Sequence, residues 1–223
     1  VFITAQAIFE HLGKIKDCKK ITQIFMKEIP KPEEESNYKV LINYYSSLSR
    51  YSVMAINHQE AVNYFEIIIY KLGKKEEMPY NYAVHLSIYS RCLLFTGELQ
   101  KAKQKITEAL ALKEYYFTQE YLSYLTGKFL ILLFYDDQQK INECKSEILN
   151  CCDKIGKKLE DLTGYQQNLM LELQLKNNTS QLLKLLTNAE KITKWNKPQF
   201  STEIDFATIY LLLCKPEKAL KFL

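Results

Sequence analysis

Apolar residues recur at three- and four-residue spacing along nearly all of this 223-residue chain, and no sustained two-residue alternation appears. That spacing lines up side chains on one face of a helix, whereas a strand alternates every second residue. The pattern predicts helices near 2–12, 17–28, 37–55, 58–72, 79–96, 98–112, 115–135, 138–155, 161–175, 179–193, 201–213 and 216–223. The corners carry matching punctuation. Gly13 separates the first two helices, and Gly73, Gly97 and Gly156 stand where later ones should end. Pro30-Lys31-Pro32 breaks the second helix, and Glu33, Glu34 and Glu35 then favour a new helix start. Asn177-Asn178-Thr179-Ser180 and Asn196-Lys197-Pro198 mark later corners, with Ser180 and Ser201 as expected N-caps.

Helices joined by short corners form antiparallel pairs, and pairs in series make either a bundle or a solenoid. An internal repeat decides for the solenoid. It is clearest at Gly97-Glu98-Leu99-Gln100-Lys101-Ala102, continuing to Ile106 and Ala109-Leu110. The corner glycine permits a tight turn, Ala102 lets the second helix approach the first, and Ile106 and Ala109 face the neighbouring repeat. The first helix supplies Leu86, Tyr89 and Leu93. The same relation holds for Ala61, Phe65 and Ile68-Ile69, with Tyr45, Leu48 and Ser52 before them. Glu217-Lys218-Ala219-Leu220 looks like the element starting again. This spacing resembles the tetratricopeptide (TPR) motif. Ala61 and Ala102 lie 41 residues apart, against ~34 in a standard TPR, and the corner from Lys71 to Pro79 absorbs the excess. The resemblance implies an all-α, right-handed αα-superhelix of about six antiparallel helix pairs over residues 1–223. Its clearest repeats are 42–75 and 83–116, with the flanking pairs degenerate. The motif is a packing code, so it implies fold and a binding role without chemistry.

Composition narrows the class. Only 6 glycines and 5 prolines are present, too few for the many turns of a sheet-rich fold. A net charge of +4 leaves no electrostatic footprint for direct nucleic-acid binding. The longest apolar run, Phe129 to Tyr135, is far short of the ~20 residues that span a bilayer. The six cysteines, Cys18, Cys92, Cys144, Cys151, Cys152 and Cys214, have neither CxxC spacing nor the density of a disulfide scaffold. They read as buried thiols in a reducing, cytoplasmic setting. The chain opens at Val1 and stops in an unfinished helical pattern, which points to a piece of a longer protein.

No catalytic, metal or cofactor site emerges. Gly-Lys at Gly13, Gly73, Gly127 and Gly156 lacks the second glycine and the Ser/Thr of a phosphate loop. His11, His58 and His85 lie far apart, without a second ligand at one-turn spacing; His85 reads as a packed or partner-facing residue. Cys144 and Cys151 share a face, but two thiolates are too few for a metal. Glu33–Glu35 and Asp136-Asp137 read as helix starts and corners. The chain is therefore expected not to be an enzyme. Its 16 tyrosines read either as inter-helix packing or as an aromatic-lined groove.

Arg50 and Arg91 are the only arginines among 30 basic residues, and each stands eleven before its repeat's alanine. In TPR arrays this position of the first helix points into the concave face. Two guanidiniums one helix-packing distance apart, ~10 Å, suit bidentate capture of peptide carboxylates better than lysines do. Asn43, Ser46 and Ser87 flank them and are expected to hydrogen-bond peptide backbone. The alternatives are a chance coincidence of register, or a structural pairing of each arginine with a neighbouring carboxylate. The expected partner is thus a protein or peptide in the concave groove, with oligomerisation left open. The low-GC composition, degenerate repeats and polar-aromatic face also resemble the TPR-like domains of Gram-positive and phage peptide-responsive regulators. That implies a peptide-sensing C-terminal domain of a cytoplasmic transcription regulator, its helix-turn-helix lying outside this chain.

Overall fold

The computed structural model describes residues 15–28, 37–72, 77–115, 117–135, 137–176, 178, 180–182 and 184. All regular structure among them is helical. The elements are α1 (Ile15–Glu28), α2 (Tyr38–Met54), α3 (His58–Glu66), α4 (Pro79–Phe95), α5 (Leu99–Leu110), α6 (Thr118–Leu133), α7 (Gln138–Ile155) and α8 (Thr163–Leu175). A π-helical turn over Ile67–Leu72 prolongs α3 without a break, and single 3-10 turns occupy Lys113–Tyr115 and Leu159–Asp161. The chain divides into two compact units, 1–134 and 135–223. Most helices lie within three residues of their expected bounds. Two details differ from the expectation: a 3-10 turn occupies the expected start of α6 at 115, and residues 67–72 wind as a π-helix. The helices expected at 2–12, 201–213 and 216–223 lie outside the described residues, as does most of that at 179–193.

The start of each second helix is written in the sequence. Asn57 caps α3, its side-chain oxygen accepting from Glu60 N at 3.4 Å, while its amide donates to the Glu60 carboxylate at 3.0 Å. That carboxylate also accepts from Ser52 Oγ at 2.9 Å and Tyr64 OH at 3.1 Å, tying α3 back to α2. Asp137 caps α7 by accepting from Lys140 N, and Asn178 accepts from Gln181 N. With Glu98 before α5, these N-caps fall at 57, 98, 137 and 178. The spacings of 41, 39 and 41 reveal a repeat of about forty residues that continues beyond 116. Four residues after each cap stands a buried apolar side chain: Ala61, Ala102, Ile141 and Leu182.

Three of the corners share one backbone solution. After α2, Ile56 N donates to Val53 O and Asn57 N to Ser52 O; after α4, Gly97 N donates to Leu94 O and Glu98 N to Leu93 O. Gly156 N to Asp153 O and Lys157 N to Cys152 O repeat the pattern after α7. This is the Schellman closure, which requires one residue at positive φ. Gly97 (φ 85°) and Gly156 (φ 65°) meet that demand without cost, but the first corner uses Ile56 at φ 59°.

In the first unit, α2 packs antiparallel on α3 and α4 on α5, and neighbouring pairs stack in chain order, the local grammar of an αα-solenoid. Helix α6 packs on α5 and α4. Ala61 and Ala102 are fully buried, as are Phe65, Ile106 and Ala109. Opposite them, the first helices present small serines, Ser49 and Ser90, at equivalent positions. Each hydroxyl donates one turn back, to Ser46 O at 2.9 Å and Ser87 O at 2.7 Å, so close helix approach leaves no orphaned donor. In the second unit α7 buries Ile141, Cys144, Ile148 and Cys152, while α8 buries Tyr165, Met170 and Glu172. Burial alone would raise the pKa of Glu172. The ammonium groups of Lys145 and Lys176, both bonded to its carboxylate, more than offset that and lower it.

Two substitutions test this account. Ile56 is exposed, so little packing offsets its left-handed backbone, which costs an L-residue roughly 1–2 kcal/mol. Ile56→Gly is expected to raise unfolding free energy by about 1 kcal/mol, and Gly97→Ala, with open space around the added carbon, to lower it by a similar amount; urea melts read both. Gly127 lies inside α6, where an added Cβ would meet Ile106 Cδ1 at an ordinary 3.5 Å. Gly127→Ala is therefore expected to stabilise by roughly 0.5–1 kcal/mol through helix propensity, seen as a higher midpoint in the same melts.

Candidate functional site

Helices α2 and α4 begin successive pairs, and the residues expected to meet a partner lie on them. Asn43, Ser46 and Arg50 follow three- and four-residue steps along α2, which sets them on one face. Val84, Ser87 and Arg91 occupy the same positions on α4. Their environments differ. Asn43 and Arg91 are exposed and Arg50 is half-buried, but Ser46 and Ser87 are enclosed, at 7% and 5% exposure. A buried serine is well placed to join helices and badly placed to reach a ligand. Ser46 does join them: its Oγ and His85 Nε2 share a hydrogen bond of 2.8 Å between α2 and α4. Ser87 lies in the α4 interior beside Ser90, whose hydroxyl its carbonyl accepts.

His85 is thus a packed residue with a specific partner. Its ring also meets Phe65 of α3, centroids 6.2 Å apart. Burial depresses its pKa, and the Arg50 guanidinium depresses it further, to about 4. The imidazole is therefore neutral near pH 7, one nitrogen donating and the other accepting. Sequence reasoning missed this pairing. Its trace is positional, since Tyr44, His85, Tyr124 and Tyr165 each stand thirteen residues before an N-cap.

The tyrosines divide between packing and surface. Phe25, Tyr44, Tyr45 and Tyr64 form a ladder of rings with centroids 6.2, 5.3 and 6.1 Å apart, linking α1, α2 and α3. Tyr89 is fully buried as a ring and donates from its hydroxyl to Glu66 Oε1 at 3.2 Å. Tyr70, Tyr80 and Tyr115 present their rings to solvent. Lys105, although buried, pairs with the Glu108 carboxylate at 2.9 Å and lies 5.2 Å from the Tyr70 ring centre.

The described cysteines are free thiols in the interior. Burial pushes Cys92 up to about 11 and raises Cys151 and Cys152 as well, which keeps them protonated and weak as nucleophiles or ligands. Among the described residues, no group of three or more His, Cys, Asp or Glu side chains is placed to hold a metal ion. None of the described helices is long and apolar enough to cross a membrane.

No protein-family model matches the chain, and no curated protein matches it. Among solved structures it is similar to aspartyl phosphate phosphatase F from Bacillus subtilis, with a TM-score of 0.61 and 16% identity. The match covers 99% of this chain and 56% of that one, so the chain spans little more than half the length of the protein it resembles. At that identity the likeness is one of fold.

The depressed pKa of His85 carries a pH dependence. Its folded value, about 4, lies below the usual ~6.5 of an unfolded histidine, so the unfolded state binds more protons between those limits. Its contribution is complete above pH ~6.5 and is lost as pH falls toward 4, by at most about 1.4 kcal/mol per pH unit. Desolvation lowers the pKa of His58 in the same direction. Urea melts of wild type and His85→Gln from pH 7 to 4.5 isolate the His85 share: the wild type is expected to lose stability more steeply than the variant.

Proposed function

We propose that this chain is a non-catalytic, TPR-like scaffold that binds a peptide or protein partner on the face carried by α2 and α4. The observation that carries the reading is the matched placement of Arg50 and Arg91. They occupy one register position, seven residues before an N-cap, on the first helices of two stacked pairs. Asn43 lies two turns from Arg50 on the same side. An extended chain crossing α2 and α4 would meet both guanidiniums, and carboxylates are the groups that planar guanidinium forks recognise best. Ser46 and Ser87, being enclosed, support this face from beneath. The partner expected is an acidic peptide, or one offering a free C-terminal carboxylate.

A second reading makes the same face the sensing surface of a larger regulatory protein. It is favoured by the likeness of fold to a Bacillus protein named for action on aspartyl phosphate, of which this chain matches 56%. Both readings share the ligand face and differ in what is attached to it.

Arg50→Ala and Arg91→Ala are each expected to weaken binding of an acidic peptide by roughly 1–2 kcal/mol, about five- to thirty-fold. The helical circular dichroism and melting temperature should stay nearly unchanged. Titration calorimetry against a glutamate-containing peptide reads the effect. Unchanged affinity in the double variant sinks the reading, and loss of folding would show that the arginines are structural.

A further inference from the structure

Apolar side chains lie in solvent at the corners that join first helices to second ones. Phe95, Phe134 and Leu175 each stand three residues before an N-cap, and each is more than half exposed, at 57%, 52% and 56%. Ile56, one residue before the first of these caps, is 67% exposed. A single exposed apolar residue is ordinary on a protein surface. The same exposure recurring at one register position of successive repeats asks for a cause.

Within the first unit three of these residues share one end of the stack. Phe95 closes α4 and Phe134 caps the end of α6, and α6 packs on α4 and α5. The ring of His58, two residues after Ile56, stacks on Phe95 with centroids 4.7 Å apart. That contact joins the first corner to the second. The order along this end is therefore Ile56, Phe95, Phe134.

We propose that this end of the first unit is a homodimer interface, on which a second copy of the chain docks in antiparallel order. Phe95 of one copy meets Phe95 of the other, and Ile56 of each meets Phe134 of the other. The inference stands apart from the peptide reading above, which concerns other residues of α2 and α4. Symmetry, area and charge select a second copy as the occupant. An isologous contact needs a surface that complements itself after a half-turn. A row of three apolar groups with one of them at its centre does so. The three side chains leave roughly 300 Å² in water, so pairing two copies removes roughly 600 Å² of apolar surface. Interfaces are about three-fifths apolar, which puts the whole contact near 1,000 Å², about the threshold of a specific interface. A contact of that size gives a reversible dimer with a dissociation constant of roughly micromolar order. Identical surfaces bring identical charge, so a self-pairing corner has to be close to neutral. Beside Phe95 the ammonium of Lys101 pairs with the Glu98 carboxylate, and the exposed Gln59 and Gln100 carry no charge.

Sedimentation equilibrium of the full chain from about 1 to 200 µM brackets such a dissociation constant. The mean mass of the wild type is expected to rise from 26.2 kDa toward twice that value. Phe95→Ser should weaken association at least about ten-fold while leaving the helical circular dichroism of the dilute protein unchanged. Ile56→Lys and Phe134→Glu should each weaken it alone. Mixed in equal amounts, these two variants should associate again, because antiparallel order sets the new lysine against the new glutamate and keeps the second Ile56–Phe134 contact intact. The Cε1–H resonance of His58, which reports on the Phe95 ring, should shift with concentration in the wild type and stay fixed in Ile56→Lys. A wild type that remains at the monomer mass overturns the inference, as does association that all three substitutions leave intact. A mean mass climbing past two copies overturns it too, since an isologous contact closes at the dimer. So does a mixture that fails to associate. If Phe95→Ser melts at a lower temperature, the mixing experiment decides alone.

Discussion

Three of the turns from one helix to the next are closed through a residue held at positive φ, with two backbone hydrogen bonds locking each. Ile56, Gly97 and Gly156 all play this part. The closure sets the angle at which the next helix leaves, and after Ile56 and Gly97 the N-cap is the very next residue. Within the first unit this brings Ala61 against α2 and Ala102 against α4, where only small side chains permit close approach. Serines on the facing helices complete the fit, and their hydroxyls bond within their own helices. Stacking of one pair on the next follows from the same geometry, because each pair presents the same apolar rows.

The register also determines how charge is distributed. Arg50 and Arg91 stand at equal distances from their caps, the first half-buried and the second exposed. Ser46 and His85 lie just inside that surface and keep the seam beneath it neutral. The second unit answers a similar problem differently. There a buried carboxylate, Glu172, is held ionised by Lys145 and Lys176. A charged network of this kind depends on every member, because removing one lysine leaves the carboxylate undercompensated in a place water reaches poorly.

Much of the helical layout was legible because periodicity and punctuation agreed. Gly97 and Gly156 announced their corners, and Asn57 and Asp137 begin helices as capping chemistry demands. The corner at Ile56 was harder to read, since an isoleucine gives no sign of a left-handed backbone. The pairs beyond residue 116 read only as degenerate for a related reason. Ile141 and Leu182 fill the place of Ala61 and Ala102, so a search for small residues passes over them, whereas counting N-caps finds them. The π turn at Ile67–Leu72 was invisible because three successive isoleucines satisfy either helical period. On α2 and α4, sequence placed Asn43, Arg50 and Arg91 on their helices and matched the arginines in register. It could not tell a surface serine from an interior one, and Ser46 and Ser87 proved to be interior. A hydroxyl is small and polar enough for both roles, and only its neighbours decide.

The corner bonds run from backbone to backbone, and their demand on side chains is limited to one tolerant position. A chain built this way can exchange nearly every residue and still trace the same path. That accounts for a fold shared with a Bacillus protein at 16% identity while no family model matches. Likeness of fold among such chains is written in the rhythm of their corners more than in their letters. A ruler of about forty residues, laid from cap to cap, is therefore the instrument with which to seek other chains of this fold.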